Sequence, residues 1–131
     1  NVSNNHLMLG HLMDWFYYSL GGISQTDQSV AYKETLIRPD MVGDIIWVNA
    51  SYQSPYGEIR SEWEKKNYTL KLDVVIPANT SALVYIPYNK GSVITESGKD
   101  INAIKEIKVI GDSDNKKIIM IGSGTYRFSV E

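Results

Sequence analysis

Cysteine is absent from the 131-residue sequence, which excludes a disulfide framework, a thiolate nucleophile and a thiolate metal site, and leaves the redox compartment unmarked. Histidine is nearly as scarce. The two present, His6 and His11, stand five positions apart, whereas two ligands sharing a helix face need a separation of three or four. No metal site is expected from them, and no phosphate loop or nucleophile elbow points to a cofactor or an acyl enzyme. Net charge is also small, with 13 basic against 15 acidic residues and a balance of -2. Such a chain offers no basic surface, so neither nucleic acid nor an anionic membrane is an expected partner. No apolar run approaches the ~20 residues needed to cross a bilayer. The start of the chain lacks a basic segment followed by an apolar one, so no secretory signal is expected.

What is present suits one domain with one core and an appended element. The most legible stretch runs from Ala50 to Pro87. Ile59, Ser61 and Trp63 alternate with Glu58, Arg60, Glu62 and Glu64, the period of two expected of a strand with one buried face. Lys65-Lys66-Asn67 then reverses the chain into Tyr68, Leu70, Leu72, Val74 and Ile76, which predicts an antiparallel hairpin. Pro77 cannot continue a ladder, so Pro77-Ala78-Asn79-Thr80 reads as a corner before Ala82, Val84 and Ile86 resume the inward row. Three adjacent strands sharing one apolar face are expected.

Around this stretch the signals are shorter. Ile23 to Ala31 reads as a polar connection, and Tyr32, Glu34 and Leu36 as a first strand stopped by Pro39. Ile45 to Val48 starts a central strand that ends at the Ser54-Pro55-Tyr56-Gly57 turn. Val93 to Glu96, Ile107 to Ile110, Ile118 to Ile121 and Thr125 to Val130 are further strands, with an exposed turn at Gly111 to Asn115. Asp100 to Ile104 is ambiguous. Seven to nine strands at this spacing predict a mainly β fold, an antiparallel β-sandwich or jelly roll.

Residues Asn1 to Gly22 predict one α-helix, opened by Ser3, Asn4 or Asn5 and closed by Gly21-Gly22. Trp15, Met8, Leu12, Phe16, Leu9, Leu20, Met13 and Tyr17 spread over more than half its circumference, while His11, Asp14 and Tyr18 mark a wet side. A surface helix needs an apolar stripe of only ~100°. So broad an arc means burial in something larger than a small sandwich, either a longer polypeptide or a dimer formed through the helix.

Ser54-Pro55-Tyr56-Gly57 with Ser61 and Trp63, and Ile76-Pro77-Ala78-Asn79-Thr80 with Ala82, Val84 and Pro87, together resemble the C-terminal β-domain of bacterial α-L-rhamnosidases of glycoside hydrolase family 78. Ser3-Asn4-Asn5-His6 with Gly10, then Asp14-Trp15-Phe16-Tyr17 and Gly21-Gly22-Ile23, resembles the last helix of that family's (α/α)6 barrel, which leads directly into the β-domain. The resemblance covers about the first two thirds of the chain. It implies a division into residues 1–24, the last barrel helix, and 25–131, the C-terminal β-sandwich. It further implies an upstream catalytic barrel, hydrolysis of terminal α-L-rhamnose from a glycoside or polysaccharide with inversion, and a bacterial periplasmic or secreted location favoured over a cytoplasmic one.

Within that family the catalytic carboxylates precede the Ser-x-Asn-His segment, so the resemblance implies no catalytic residue here and an inactive fragment. It assigns His6 to substrate binding, as a hydrogen-bond partner of rhamnose; the residues alone allow a capping or surface histidine. Inverting hydrolysis needs two carboxyl groups about 6.5–9.5 Å apart across the scissile bond. Glu58, Glu62 and Glu64 on the wet face of a strand read as solvated charge, and Asp14 as a helix-surface residue. Tyr52, Tyr56, Tyr85, Tyr88 and Trp47 leave open a carbohydrate-binding module with an aromatic platform, against the plainer reading as strand packing.

Overall fold

Two β-sheets, of five and six strands, pack against each other in the computed structural model, which describes residues 22–25, 33–38, 47–66 and 69–131. The strands are β1 (Ile23–Gln25), β2 (Glu34–Ile37), β3 (Trp47–Ser54), β4 (Gly57–Lys66), β5 (Thr69–Ile76), β6 (Ser81–Pro87), β7 (Ile94–Glu96), β8 (Lys99–Asp100), β9 (Lys108–Ser113), β10 (Lys116–Ile121) and β11 (Gly124–Val130). A 3-10 turn covers Ile101–Ala103. One sheet has the order β1-β2-β6-β10-β9 and the other β3-β4-β5-β11-β7-β8. Every neighbouring pair is antiparallel except β2 and β6, which run parallel.

The expected hairpin is present. β4 and β5 pair from Arg60↔Val75 to Lys66↔Thr69, so Lys65 and Lys66 belong to β4 rather than to the reversal. Burial alternates along both strands, with Ile59, Ser61 and Trp63 facing in from β4 and Leu70, Leu72, Val74 and Ile76 from β5. The corner at Pro77–Thr80 is closed by the Thr80 hydroxyl, which donates to the Pro77 carbonyl at 2.7 Å. Asn79 takes a left-handed φ of 65° there, a conformation that asparagine tolerates better than most residues.

That corner does more than turn the chain. β6 belongs to the other sheet, so the three strands are not adjacent members of one sheet, as the sequence reading had them. Instead Ala82, Val84 and Ile86 face the β4 and β5 rows across the core. Trp63 and Phe128 are its largest fully buried side chains, and burying each removes about 1.5–3 kcal/mol worth of apolar surface from water. Two buried hydroxyls, of Thr35 and Ser61, have no hydrogen-bond partner among the described residues.

Other expectations shift at the edges. Part of the stretch read as a polar connection is strand β1, with Ile23 fully buried. β2 buries Thr35 and Ile37 rather than the Glu34 and Leu36 row. β3 is an edge strand, not a central one, and Trp47 is 62% exposed. The ambiguous segment resolves into β8 and the 3-10 turn, whose first turn is capped by Asp100 accepting from the Asn102 amide at 2.8 Å. β9 continues to Ser113, leaving only Asp114-Asn115 as the turn, both at positive φ. Strands β1 and β8 bring the described total to eleven; at three and two residues they are too short to show alternation. The predicted helix, and with it His6, His11 and Asp14, lies outside the described residues.

Candidate functional site

The acidic row of β4 points away from the core. Arg60 donates to Glu58 at 2.8 Å and lies 3.9 Å from Glu62, with all three side chains over a third exposed. Glu64, next along, is exposed. Carboxylates sharing one guanidinium in solvent form a weak surface ion-pair row. They lack the shielded acid facing a separate base that glycoside hydrolysis requires.

The five aromatic residues singled out do not converge on one surface. Tyr56 sits in the β3–β4 turn with the Lys33 ammonium 5.2 Å from its ring centre. Trp47 lies at the far end of the same strand pair, opposite Glu64. Tyr85 of β6 carries the Arg38 guanidinium at 5.5 Å in the other sheet. Tyr88 has Lys117 at 4.8 Å from its ring, and Tyr52 packs against the core. Their places at both ends and in both sheets provide isolated cation–π pairs rather than a continuous platform for a sugar.

Two polar arrangements that the sequence did not reveal are assembled by the fold. In the first, β9, β10 and the residue after β6 bring Asp112, Lys117 and Tyr88 together. Lys117 lies 2.8 Å from the Asp112 carboxylate and the Tyr88 hydroxyl donates to it at 2.9 Å. The Lys117 hydrogen bond, then that of Tyr88, hold the Asp112 carboxyl below the usual carboxylate range. The same pairing with Asp112, then with Tyr88, raises Lys117. With its donors and acceptor mutually satisfied, the trio ties β9 to β10.

The second is a surface recess of about 450 Å³ beside the β7–β8 hairpin, lined by Glu96, Ser97, Lys99, Ala103, Ile104, Lys105 and Glu106. Glu96 Oε2 accepts from the Arg127 amide at 3.1 Å and from the Ser97 hydroxyl at 2.6 Å, so this carboxylate is engaged in holding β7 to β11. Tyr126 lies within reach of its field. Burial, then the charges of Glu96 and Glu106, raise the phenol, whose hydroxyl donates to the Gly122 carbonyl at 3.0 Å. The recess is lined from the single stretch 96–106, whereas Glu96 and Tyr126 come near each other only through the β7–β11 pairing. Among the described residues no three His, Cys, Asp or Glu side chains gather to hold a metal ion, and no helix is long and apolar enough to cross a membrane.

A family model described as the bacterial alpha-L-rhamnosidase C-terminal domain matches residues 22–100. Over 98% of its length the chain is 33% identical to an alpha-L-rhamnosidase of Formosa agariphila, of which it covers 14%. It is 26% identical, again over 98% of its length, to an alpha-L-rhamnosidase of Streptomyces avermitilis, of which it covers 12%. The solved alpha-L-rhamnosidase from Dictyoglumus thermophilum superposes with a TM-score of 0.79 at 26% identity, covering 97% of this chain and 14% of that one. The Streptomyces avermitilis enzyme complexed with L-rhamnose is similar in fold, with a TM-score of 0.77 at 24% identity over 90% of this chain and 10% of that one. The chain therefore spans about a seventh or less of the length of these relatives.

Proposed function

The chain belongs to the bacterial alpha-L-rhamnosidase C-terminal domain family, and from that premise we propose that it is the terminal β-domain of a longer glycoside hydrolase acting on α-L-rhamnosides. The whole enzyme removes terminal α-L-rhamnose from a glycoside or polysaccharide with inversion. One observation carries this reading: relatives named for that activity match nearly the whole chain, yet the chain amounts to only 14% of the Formosa agariphila enzyme.

On this reading the catalytic acid and base lie upstream, and this chain alone does not hydrolyse rhamnosides. Its part is structural. The β-sandwich, of jelly-roll type, abuts an (α/α)6 barrel whose last helix is the segment before it. A division after residue 24 would cut through β1, which pairs with β2 over Ile23↔Ile37 to Gln25↔Thr35, so we draw the join at Gly22. His6, in that last helix, hydrogen-bonds the bound rhamnose, and the sandwich steadies the helix that presents it.

The test is hydrolysis of an aryl α-L-rhamnoside by the 131-residue chain beside a polypeptide extended upstream to the length of the relatives. Activity confined to the longer polypeptide, with release of β-L-rhamnose by NMR, is the expected result. Activity in the short chain overturns the claim that the carboxylates lie upstream, and inactivity in both overturns the assignment of substrate.

A further inference from the structure

β6 reads Ser81-Ala82-Leu83-Val84-Tyr85-Ile86-Pro87, and β10 ends in Ile118-Ile119-Met120-Ile121. A strand with one wet face alternates apolar with polar residues, whereas a near-continuous apolar run suits a strand covered on both faces. The inward residues of these two strands, Ala82, Val84, Ile86, Ile119 and Ile121, are buried in the core. The outward ones are apolar as well. Cross-strand register sets Leu36 of β2 beside Leu83 of β6 and Leu83 beside Met120 of β10; in the next outward row Tyr85 stands beside Ile118. All five are half-buried.

The six-stranded sheet is built the other way. Where β4, β5 and β11 pair, its outward rows are Glu62-Asp73-Arg127 and Glu64-Lys71-Ser129. One sandwich thus carries a charged outer face and an apolar one, and contiguous outward apolar surface marks an interaction site.

The chain enters the sandwich at the edge of the apolar sheet. β1 is an edge strand of that sheet, and the Gly22 carbonyl accepts from the Arg38 amide at 2.7 Å. The Arg38 guanidinium in turn lies 5.5 Å from the Tyr85 ring centre. Two contacts therefore lead from the join at Gly22 to the apolar face, so a body attached ahead of Gly22 is tethered beside it. The matched family is a C-terminal domain, and this chain makes up only 14% of the Formosa agariphila relative. A short tether keeps two bodies at a high effective concentration, so a modest apolar contact stays closed.

We propose that the outer face of the five-stranded sheet, centred on Leu83 and Met120, is the docking surface for the domain that precedes Gly22, the catalytic barrel of the longer enzyme, which meets it with apolar side chains. This rests on the terminal-domain reading and adds to it the face and the residues of the join. The charged outer face of the six-stranded sheet stays in solvent.

The test is made in the polypeptide extended upstream, where the barrel is present. The photo-reactive p-benzoylphenylalanine replaces Leu83, Met120 or, as the opposite-face control, Asp73, and cross-linked peptides are identified by mass spectrometry after irradiation. Leu83 and Met120 should cross-link to peptides that precede Gly22, and Asp73 should not. Cross-links that join two molecules give the face to a second copy and overturn the proposal, as do no cross-links or equal ones from Asp73. In parallel, Leu83→Lys places a charge in the apolar contact and should raise the rate of protease cleavage at the join about tenfold or more. Val75→Lys, on the outward row of the other sheet, controls for damage to the sandwich itself and should leave that rate unchanged. Equal rates in the two variants overturn the proposal. Neither readout is hydrolysis. An active polypeptide without cross-links sinks the docking and leaves the rhamnosidase reading standing, while cross-links in an inactive one uphold the docking and overturn the assignment of substrate.

Discussion

Asp112 and Lys117 stand directly opposite each other in the β9–β10 ladder and close an ion pair of 2.8 Å. Cross-strand partners of opposite charge hold register, and this pair does so in the last two residue pairs before the Asp114-Asn115 turn. Tyr88 supplies the third contact, reaching the same carboxylate oxygen at 2.9 Å.

The pair has a defined pH signature. The folded Asp112 carboxyl titrates below its unfolded value of about 3.9, so its contribution is complete above that pH and is lost as pH falls through the lower folded value. Lys117 is raised, so its contribution is complete below the unfolded value of about 10.4 and is lost as pH rises through the higher folded one. A carboxyl-carbon NMR titration should show Asp112 with the depressed midpoint, moving upward in Tyr88→Phe. An Asp112 midpoint unchanged by that substitution removes Tyr88 from the account.

Thr35 and Ser61 bury hydroxyls without a partner among the described residues. Desolvating a polar group that gains no hydrogen bond costs about 1–3 kcal/mol. Thr35→Val and Ser61→Ala should therefore each stabilise the fold, by about 1 kcal/mol, read as a higher urea midpoint at unchanged slope. A lower midpoint in either variant shows that the hydroxyl is bonded.

Gly57 joins two turns that are distant in sequence. Its φ is +132°, and a Cβ there would lie 3.1 Å from the Pro77 Cβ, part of a rigid ring. Gly57→Ala should destabilise by about 1–3 kcal/mol, combining backbone strain with the clash. Gly91→Ala has open space around it and strain alone, so it should cost less. Equal losses in the two variants by chemical denaturation contradict the close approach to Pro77.

His6 is tested only in the longer enzyme. If it donates a hydrogen bond to bound rhamnose, His6→Ala there should lower kcat/KM by about 10–100-fold, the value of one polar contact to substrate. His6→Ala without effect on kcat/KM assigns the residue to helix capping instead.

The period-two rows of β4, β5 and β11 were legible because each has one wet and one buried face. Pro77 and Asn79 likewise signalled the corner. Which sheet β6 would join was not legible, because turn chemistry sets a reversal but not the partner beyond it. Ile110 shows a second limit. The ladder shifts between Ile118 and Ile119, leaving Ile110 unpaired between Val109 and Gly111 and 52% exposed; a bulge of this kind shifts the strand's alternation. The Thr35 row lost to Leu36 on hydrophobicity, although parallel pairing with β6 turns Thr35 inward. At the level of sites, His6 was suggested by resemblance alone, and the Asp112, Lys117 and Tyr88 trio exists only once three separate segments meet.

The placement of β6 and β11 also sets the order of assembly. The β3–β4 and β4–β5 pairs join strands adjacent in sequence, so bringing them together costs the least chain entropy. The sheets are completed only when Glu34 finds Ser81 and Leu70 finds Val130, each across a long stretch of chain whose closure costs entropy before any contact repays it. Such topologies fold in milliseconds to seconds rather than microseconds. During synthesis, β5 emerges well before the β11 strand that covers its edge, so an extended, apolar strand edge stands open until the last residues of the sandwich are made.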